Sequence, residues 1–460
     1  MKSISSKVLI LTLIAMPFIN VAAQEGFGFD DSEFGFSSGS SFSVNISGEI
    51  SAGVTGFFDD FSSAEKIGNI KPGDIFSGSL NFDASGSAAQ GIINLNLIPV
   101  FDGTSPVEID EAFVRAFFGP VTVEGGLRKL SWGKADSFGP LDVINPLDYT
   151  DLTRLSDPQS IKIARPMIHG IWSLGAFSRL EAVFVPTFQG HQFDMTGRWR
   201  PSQIGTLINE LEPIMPYLPI SGIEELYPDT STLNYSQAGL RFTTTLGSYD
   251  FGFQYYFGRF NRPAVIFELV SVELPLPVPL PISVPLPDRI VYNSFHQIGL
   301  DFASVIAGFN LRAEAGVMIT SDLDGKDGTV ENPSLVWSLG FDRDLLWGIN
   351  LNLQGSGSFR LFYDRIGDNL LADIEAGSYP SSTRITGVLS RTFLRDELEL
   401  KVSGLWGIED KDFLIMPAIV WSRNDVSTEF STGFFGGDKK GELGQYRDNG
   451  FARLILSYKF

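Results

Sequence analysis

Long runs in which apolar and polar residues alternate one by one constrain this chain more than any other feature. From Phe42 to Phe58 the even positions read Phe42, Val44, Ile46, Gly48, Ile50, Ala52, Val54, Gly56 and Phe58, against mostly Ser, Asn, Glu and Thr at the odd ones. A period of two puts these sets on opposite faces of an extended strand, one apolar and one polar. Runs of roughly nine to seventeen residues exceed the ~5 to 6 usual in globular strands and suit a tilted membrane strand of about 9 to 11. Beyond the N-terminus no stretch reaches ~18 consecutive apolar residues, which excludes helical spans.

The same rule marks strands at 42–58, 75–86, 91–100, 109–118, 121–131, 168–175, 178–187, 234–246 and 249–260, and at 290–303, 306–319, 334–342, 347–363, 382–393, 396–407, 412–422, 425–435 and 451–460. These are eighteen, an even number, as single-chain bacterial barrels require. Short links (Gly119-Pro120, Phe177-Ser178, Gly247-Ser248, Leu394 to Asp396) alternate with long ones at 59–74, 132–167, 188–233, 261–289 and 364–381. Only Glu409 to Lys411 is short where a long loop is due. The pattern predicts an all-β fold: a single transmembrane antiparallel barrel with short periplasmic turns and long extracellular loops.

At the N-terminus, Lys2 and Lys7 precede an apolar run from Val8 to Ile19, then Val21-Ala22-Ala23 and Gln24. This reads as a signal peptide over 1–23, too short to anchor permanently. Residues 24–41 read as a flexible Phe- and Gly-rich segment before the barrel at 42–460. The chain has no cysteine and a net charge of −20. Such acidity argues against nucleic acid, which needs a basic footprint. The expected location is the outer membrane of a diderm bacterium, with its lipids and assembly machinery as partners; oligomeric state is left open. At the other end, Tyr458, Leu456, Leu454 and Ala452 alternate back from the terminal Phe460. This resembles the C-terminal recognition strand of bacterial outer-membrane proteins and marks Tyr458 and Phe460 as an assembly signal.

After the fifth strand, Gly126-Leu127-Arg128 is followed by Trp132-Gly133, Asp136 and the run Asp142-Val143-Ile144-Asn145-Pro146-Leu147-Asp148. Over residues 120–170 this resembles the signature loop of a little-characterised family of porin-like outer-membrane barrels, sometimes associated with export or uptake of hydrophobic compounds. The resemblance implies the fold and singles out Trp132, Gly133, Asp142, Asn145, Pro146 and Asp148, but supplies no settled substrate. By its position, Trp132 reads as an interfacial anchor.

Strand parity assigns the lumen. Arg115, Arg128, Arg241, Arg312, Arg360, Arg384 and Arg453 fall on polar faces, as do Glu49, Glu111, Glu124, Glu181, Asp301, Glu314, Glu397 and Glu399. Two readings stand: a charged constriction with a transverse field, or salt bridges filling a packed interior.

Two loops are apolar. In Leu274 to Pro287 the prolines at 275, 277, 279, 281, 285 and 287 share one parity, leaving Leu276, Val278, Leu280 and Ile282 on the other. Prolines at alternate positions remove N–H donors along one edge, so such a strand pairs on one side only. Ile204 to Tyr227 reads as a short amphipathic helix broken by Pro213, Pro216 and Pro219. These loops either receive hydrophobic solutes at the mouth, or form a lid, or contact a neighbouring protomer.

Enzymatic and metal motifs are poor. Gly35-Phe36-Ser37-Ser38-Gly39 lacks the strand–turn–helix of a nucleophile elbow. His191 near Asp194 is the one acid–base pair the letters suggest, and His169 and His296 complete the histidines. Asp322, Asp324 and Asp327 lack the terminal glutamate of a Ca²⁺ loop, with Pro333 in its place. No catalysis, metal or cofactor is expected. The functional expectation is passive movement of a small solute, with hydrophobic or amphipathic ones slightly favoured; the alternatives are a polar-solute porin and a non-conducting structural or surface-contact barrel.

Overall fold

The computed structural model describes residues 42–59, 76–97, 107–211, 223–273, 281–369 and 372–460. The signal region, residues 24–41 with the Gly35–Gly39 motif, and Leu276, Val278 and Leu280 lie outside the described residues.

The chain runs through β1 (Ser43–Phe57), β2 (Phe76–Ser85), β3 (Ala89–Leu97), β4 (Val107–Phe118), β5 (Val121–Arg128), β6 (Asp148–Tyr149), β7 (Arg165–Ser173), β8 (Ser178–Val185), β9 (Gln192–Phe193), β10 (Gln237–Leu246) and β11 (Tyr249–Arg259). It continues through β12 (Ala264–Glu273), β13 (Pro281–Val291), β14 (Ser294–Ile306), β15 (Phe309–Thr320), β16 (Ser334–Asp344), β17 (Ile349–Arg360), β18 (Ser381–Phe393), β19 (Leu398–Gly407), β20 (Asp412–Arg423), β21 (Val426–Gly437) and β22 (Phe451–Lys459). Eighteen of these form one antiparallel sheet, each paired with its neighbour, and β1 closes the ring on β22. Closure leaves no unpaired edge, the condition for backbone to cross hydrocarbon. The last residue completes the seam: Gly48 N donates to Phe460 O at 2.9 Å and Phe460 N to Gly48 O at 3.0 Å.

All eighteen expected strands are present. The largest offset is at β14 and β15, expected at 290–303 and 306–319. Residues 290 and 291 instead end β13, and the turn falls at Ala307 and Gly308, both with positive φ (52° and 78°). That pair suits the two-residue primed turn whose twist matches the strands, and Gly308 adopts it without Cβ strain.

Apolar side chains stand out from the whole circumference, among them Ile50, Leu240, Leu300, Leu339, Leu400 and Leu454, all exposed. A continuous apolar band of this kind is a lipid-facing surface, and the chain is an outer-membrane β-barrel. Aromatic residues ring both ends of the band, with Trp172, Tyr249, Trp421 and Tyr458 toward the short turns and Phe359, Trp406, Phe413 and Phe434 toward the long loops. Their amphipathic rings suit the headgroup level. Among the described residues no helix is long and apolar enough to cross a membrane. The α-helix α1 (Ser202–Leu211) lies in the second apolar loop, where the amphipathic helix is expected.

The proline-rich segment forms strand β13, which pairs with β12 alone in a two-stranded sheet. Pro281, Pro285 and Pro287 share one parity, as the one-edge expectation requires, and Ile282 lies within this strand opposite Val272. The register shifts between Ile266 and Phe267, so that Asp288 bulges out.

Candidate functional site: a segment across the lumen

Residues 129–164 leave β5 and turn inward. Asn145 ties the two ends of this excursion together. Its Oδ1 accepts from Leu130 N at 2.8 Å, and its Nδ2 donates to Arg128 O at 3.1 Å and Ile163 O at 2.9 Å. Only an amide side chain offers one acceptor and two donors in this way; aspartate would leave two carbonyls unpaired. Pro146 O accepts from Ile163 N at 2.9 Å, Asp148 accepts from Thr150 N at 2.9 Å, and Asp142 pairs with Lys162. Asn145, Pro146, Asp148 and Asp142 of the signature therefore fold the segment.

Trp132 is not the interfacial anchor its position suggests. It is 3% exposed, inside the barrel, with Nε1 donating to Glu181 Oε2 at 3.3 Å and its ring edge-on to Tyr256. The inward turn at Gly133 (φ 98°) carries it there, and a Cβ on Gly133 would meet Glu314 Oε1 at 2.3 Å. Only glycine fits that close approach.

The tip of the segment docks on the far wall. Glu314 of β15 accepts from Ala135 N at 2.8 Å and Leu141 N at 3.3 Å, and also from Lys134 N. Gln354 of β17 accepts from Asp136 N at 2.9 Å and donates to Ser137 O at 2.8 Å. Gln254 of β11 and Gln297 of β14 donate to Leu141 O and Pro140 O at 2.8 and 2.9 Å. Asp136 pairs with Arg312, which also holds Asp342 at 2.8 Å. In ring order β17 lies eight places from β5 on a circle of eighteen, so the segment crosses almost a full diameter.

Its second half packs on the remaining wall. Leu152, Leu155 and Ile161 are buried against inward-facing Leu405, Leu414, Met416, Phe435 and Phe451 of β19 to β22, with Trp199, Leu443 and Tyr446 from other loops. Fully burying each such side chain contributes about 1.5–3 kcal/mol.

The parity-assigned charges sort into separate groups. Arg115 bonds Glu124 at 2.6 Å, Arg128 pairs with the same carboxylate, and His169 bridges Glu124 and Glu181 at 2.8 and 3.1 Å. Arg241 pairs with Asp301 at 2.6 Å. Glu124, Arg241 and Glu314 are 1%, 4% and 3% exposed. Glu124, His169, Glu181, Arg241, Asp301 and Glu314 form a buried belt, and the segment bonds to it through Glu181 and Glu314. Glu111 accepts from Lys129 N at 2.7 Å, Arg360 pairs with Glu375 at 2.8 Å, and Glu49 lies 3.8 Å from Lys459 near the seam.

Arg384 belongs to a different cluster at the outer mouth, where Glu442 pairs with both Arg384 and Arg262. Near this cluster, His191 Nδ1 accepts from Leu147 N at 2.8 Å, so the ring is neutral at that nitrogen. Burial, and after it Arg262, pulls its pKa down to about 3. Asp194 accepts instead from Thr196, Gly197 and Trp199 N–H groups, so the suggested acid–base pair does not form. Asp322 spends its carboxylate on Lys326 N and Asp327 N at 3.1 and 2.9 Å.

Inward positions differ along the barrel axis. Toward the loops Gln237 and Phe435 are buried, whereas toward the short turns Thr243, Lys401 and Glu429 are half-buried and Thr392 is exposed. Among the described residues, loops pack into the outer half of the interior, and several inward side chains of the periplasmic half are partly exposed.

The sequence matches no protein-family model and no curated protein. Among solved structures it is similar to OccD3 (OpdP) of Pseudomonas aeruginosa, at 10% identity over 91% of each chain with a TM-score of 0.48. OmpF of Salmonella typhi aligns at 8% identity over 91% of this chain and 98% of that one, with a TM-score of 0.43. Wzi of Escherichia coli, described as a carbohydrate-binding β-barrel involved in group 1 capsule assembly, aligns at 11% identity over 90% and 84%, with a TM-score of 0.44. At this distance, fold and function both rest on the chain's own residues.

Proposed function

We propose that the chain lets small solutes move passively across the outer membrane through a lumen restricted by residues 129–164. One observation carries this reading: a single segment crosses the lumen, bonded to Glu314, Gln254, Gln297 and Gln354, above inward side chains that are partly exposed. The inward residues there, Asn81, Asp83, Lys401 and Glu429, are polar and half-buried, which favours polar solutes over the hydrophobic route that the loop composition suggests. The hydrophobic reading keeps some support from Leu269 on β12, which is 71% exposed beside the mouth.

Planar-bilayer recording of the refolded chain in potassium chloride tests the proposal. Discrete current steps are expected, and a silent bilayer after verified insertion would leave the non-conducting barrel as the better reading. Comparing flux of a neutral sugar with that of an apolar solute of equal size then separates the polar from the hydrophobic route.

A further inference from the structure

Three separate stretches meet at the outer mouth. Arg262 precedes the β12–β13 hairpin, Arg384 lies on the inner side of β18 near its outer end, and Glu442 comes from the connection between β21 and β22. In ring order β11 and β18 stand five places apart, so the two arginines approach from well-separated parts of the wall. Each takes one oxygen of the same carboxylate, Arg262 the Oε1 and Arg384 the Oε2.

This cluster differs from the buried Arg241–Asp301 pair of the belt in its exposure. Arg241 and Asp301 in the belt are 4% and 0% exposed in their side chains, and an exchange there would strand a buried charge. At the mouth Arg262 is 65% exposed, Glu442 39% and Arg384 29%. Ion pairs open to water are weak in net terms and exchange readily. The backbone beside Glu442 is pinned independently, with Leu443 N and Gly444 N both donating to Asp412 and Leu443 buried in the apolar cluster. The carboxylate is therefore free to swing out while its loop stays in place.

An aromatic group lies near the arginines, whose charges, with that of Glu442, act on Tyr149. Tyr149 stacks on Phe193 with centroids 5.6 Å apart and meets His191 edge-on at 5.3 Å, and all three residues are half-buried. Asp410 adds a second negative charge near Arg262 and Arg384, which disfavours a dianion.

We propose that Arg262 and Arg384 form a receptor site for organic monocarboxylates with an apolar or aromatic body, and that Glu442 is the chain's own displaceable occupant. The site rests on the solute-passage reading, since its role is to collect solutes at the mouth. An arriving carboxylate takes one guanidinium per oxygen, as Glu442 does, and sets its apolar body on Tyr149 and Phe193.

The test titrates benzoate into the detergent-solubilised full chain, followed by saturation-transfer NMR, with benzyl alcohol as the neutral control. Removing the internal competitor with Glu442→Ala should lower the benzoate half-saturation by about tenfold, and the double variant Arg262→Gln/Arg384→Gln should abolish saturable binding. Each variant must keep the heat-modifiable gel mobility of the folded barrel; Glu442→Gln serves in place of Glu442→Ala if the latter does not. Equal half-saturation in wild type, Glu442→Ala and the double variant would overturn the proposal, as would benzyl alcohol binding as well as benzoate. Binding without current steps would retire the channel reading and keep the site, whereas current steps without benzoate binding would do the reverse.

Discussion

On the wall from β11 to β17 the crossing segment is held by directional bonds: Glu314, Gln254, Gln297 and Gln354 address individual N–H and C=O groups of residues 134–141. On the wall from β19 to β22 the same segment is held by packing of Leu152, Leu155 and Ile161 against Leu414, Met416 and Phe451. The first kind of contact sets the segment's position, because each bond has one partner and one direction. The second supplies stability with little directional demand. A restriction built this way is placed by one wall and retained by the other, so the two walls should respond differently to perturbation.

The largest effect is expected from replacing residues 134–160 with a short glycine linker, which removes both contacts together. Single-channel conductance should rise severalfold, and an unchanged value would mean that the segment does not limit the passage. Next is Phe451→Ala on the apolar wall. Phe451 is 0% exposed, and deleting such a side chain costs about 3–5 kcal/mol. The thermal transition of the barrel should fall, with no new pH dependence of the current.

On the polar wall, Glu314→Ala strands three N–H groups. Part of the loss is recovered by water, leaving roughly 2–3 kcal/mol against the docked position. The readout is positional: open-channel noise should increase while the global thermal transition moves less than in Phe451→Ala. The reverse ordering would break the division of labour between the walls.

The smallest effect concerns the latch between Leu147 and His191. With a folded pKa of about 3 against ~6.5 in an unfolded chain, the neutral ring's contribution is complete above about pH 6.5. It is lost progressively as the pH falls from there toward 3. Current fluctuations should grow between pH 7 and 4 in the wild type. His191→Asn keeps an acceptor without a titrating ring and should remove that change; a pH response identical in both would assign it elsewhere.

Much of the apolar wall is legible in the sequence. The run from Phe413 to Trp421 is apolar on both parities, and the structure places Phe413, Ile415 and Ile419 toward lipid and Leu414, Met416 and Ala418 inward. A strand greasy on both faces has something apolar inside it. The glutamines of the polar wall gave a weaker signal, an amide on the inner parity of three separate strands. Their convergence on residues 134–141 involves partners 113 to 218 positions apart, which no local pattern contains.

Period-two alternation, with the lengths of the links between runs, determined the barrel, its eighteen strands, the facing of most wall residues and the end that carries the loops. Local sterics and the need to satisfy backbone groups in hydrocarbon leave no other arrangement for such a pattern. Only the tertiary structure decided that the loop after β5 turns inward, that Trp132 reaches Glu181, and that the inner charges divide into a buried shelf and an exposed clasp. Those outcomes depend on ring closure, which brings strands half a circumference apart within reach of one segment.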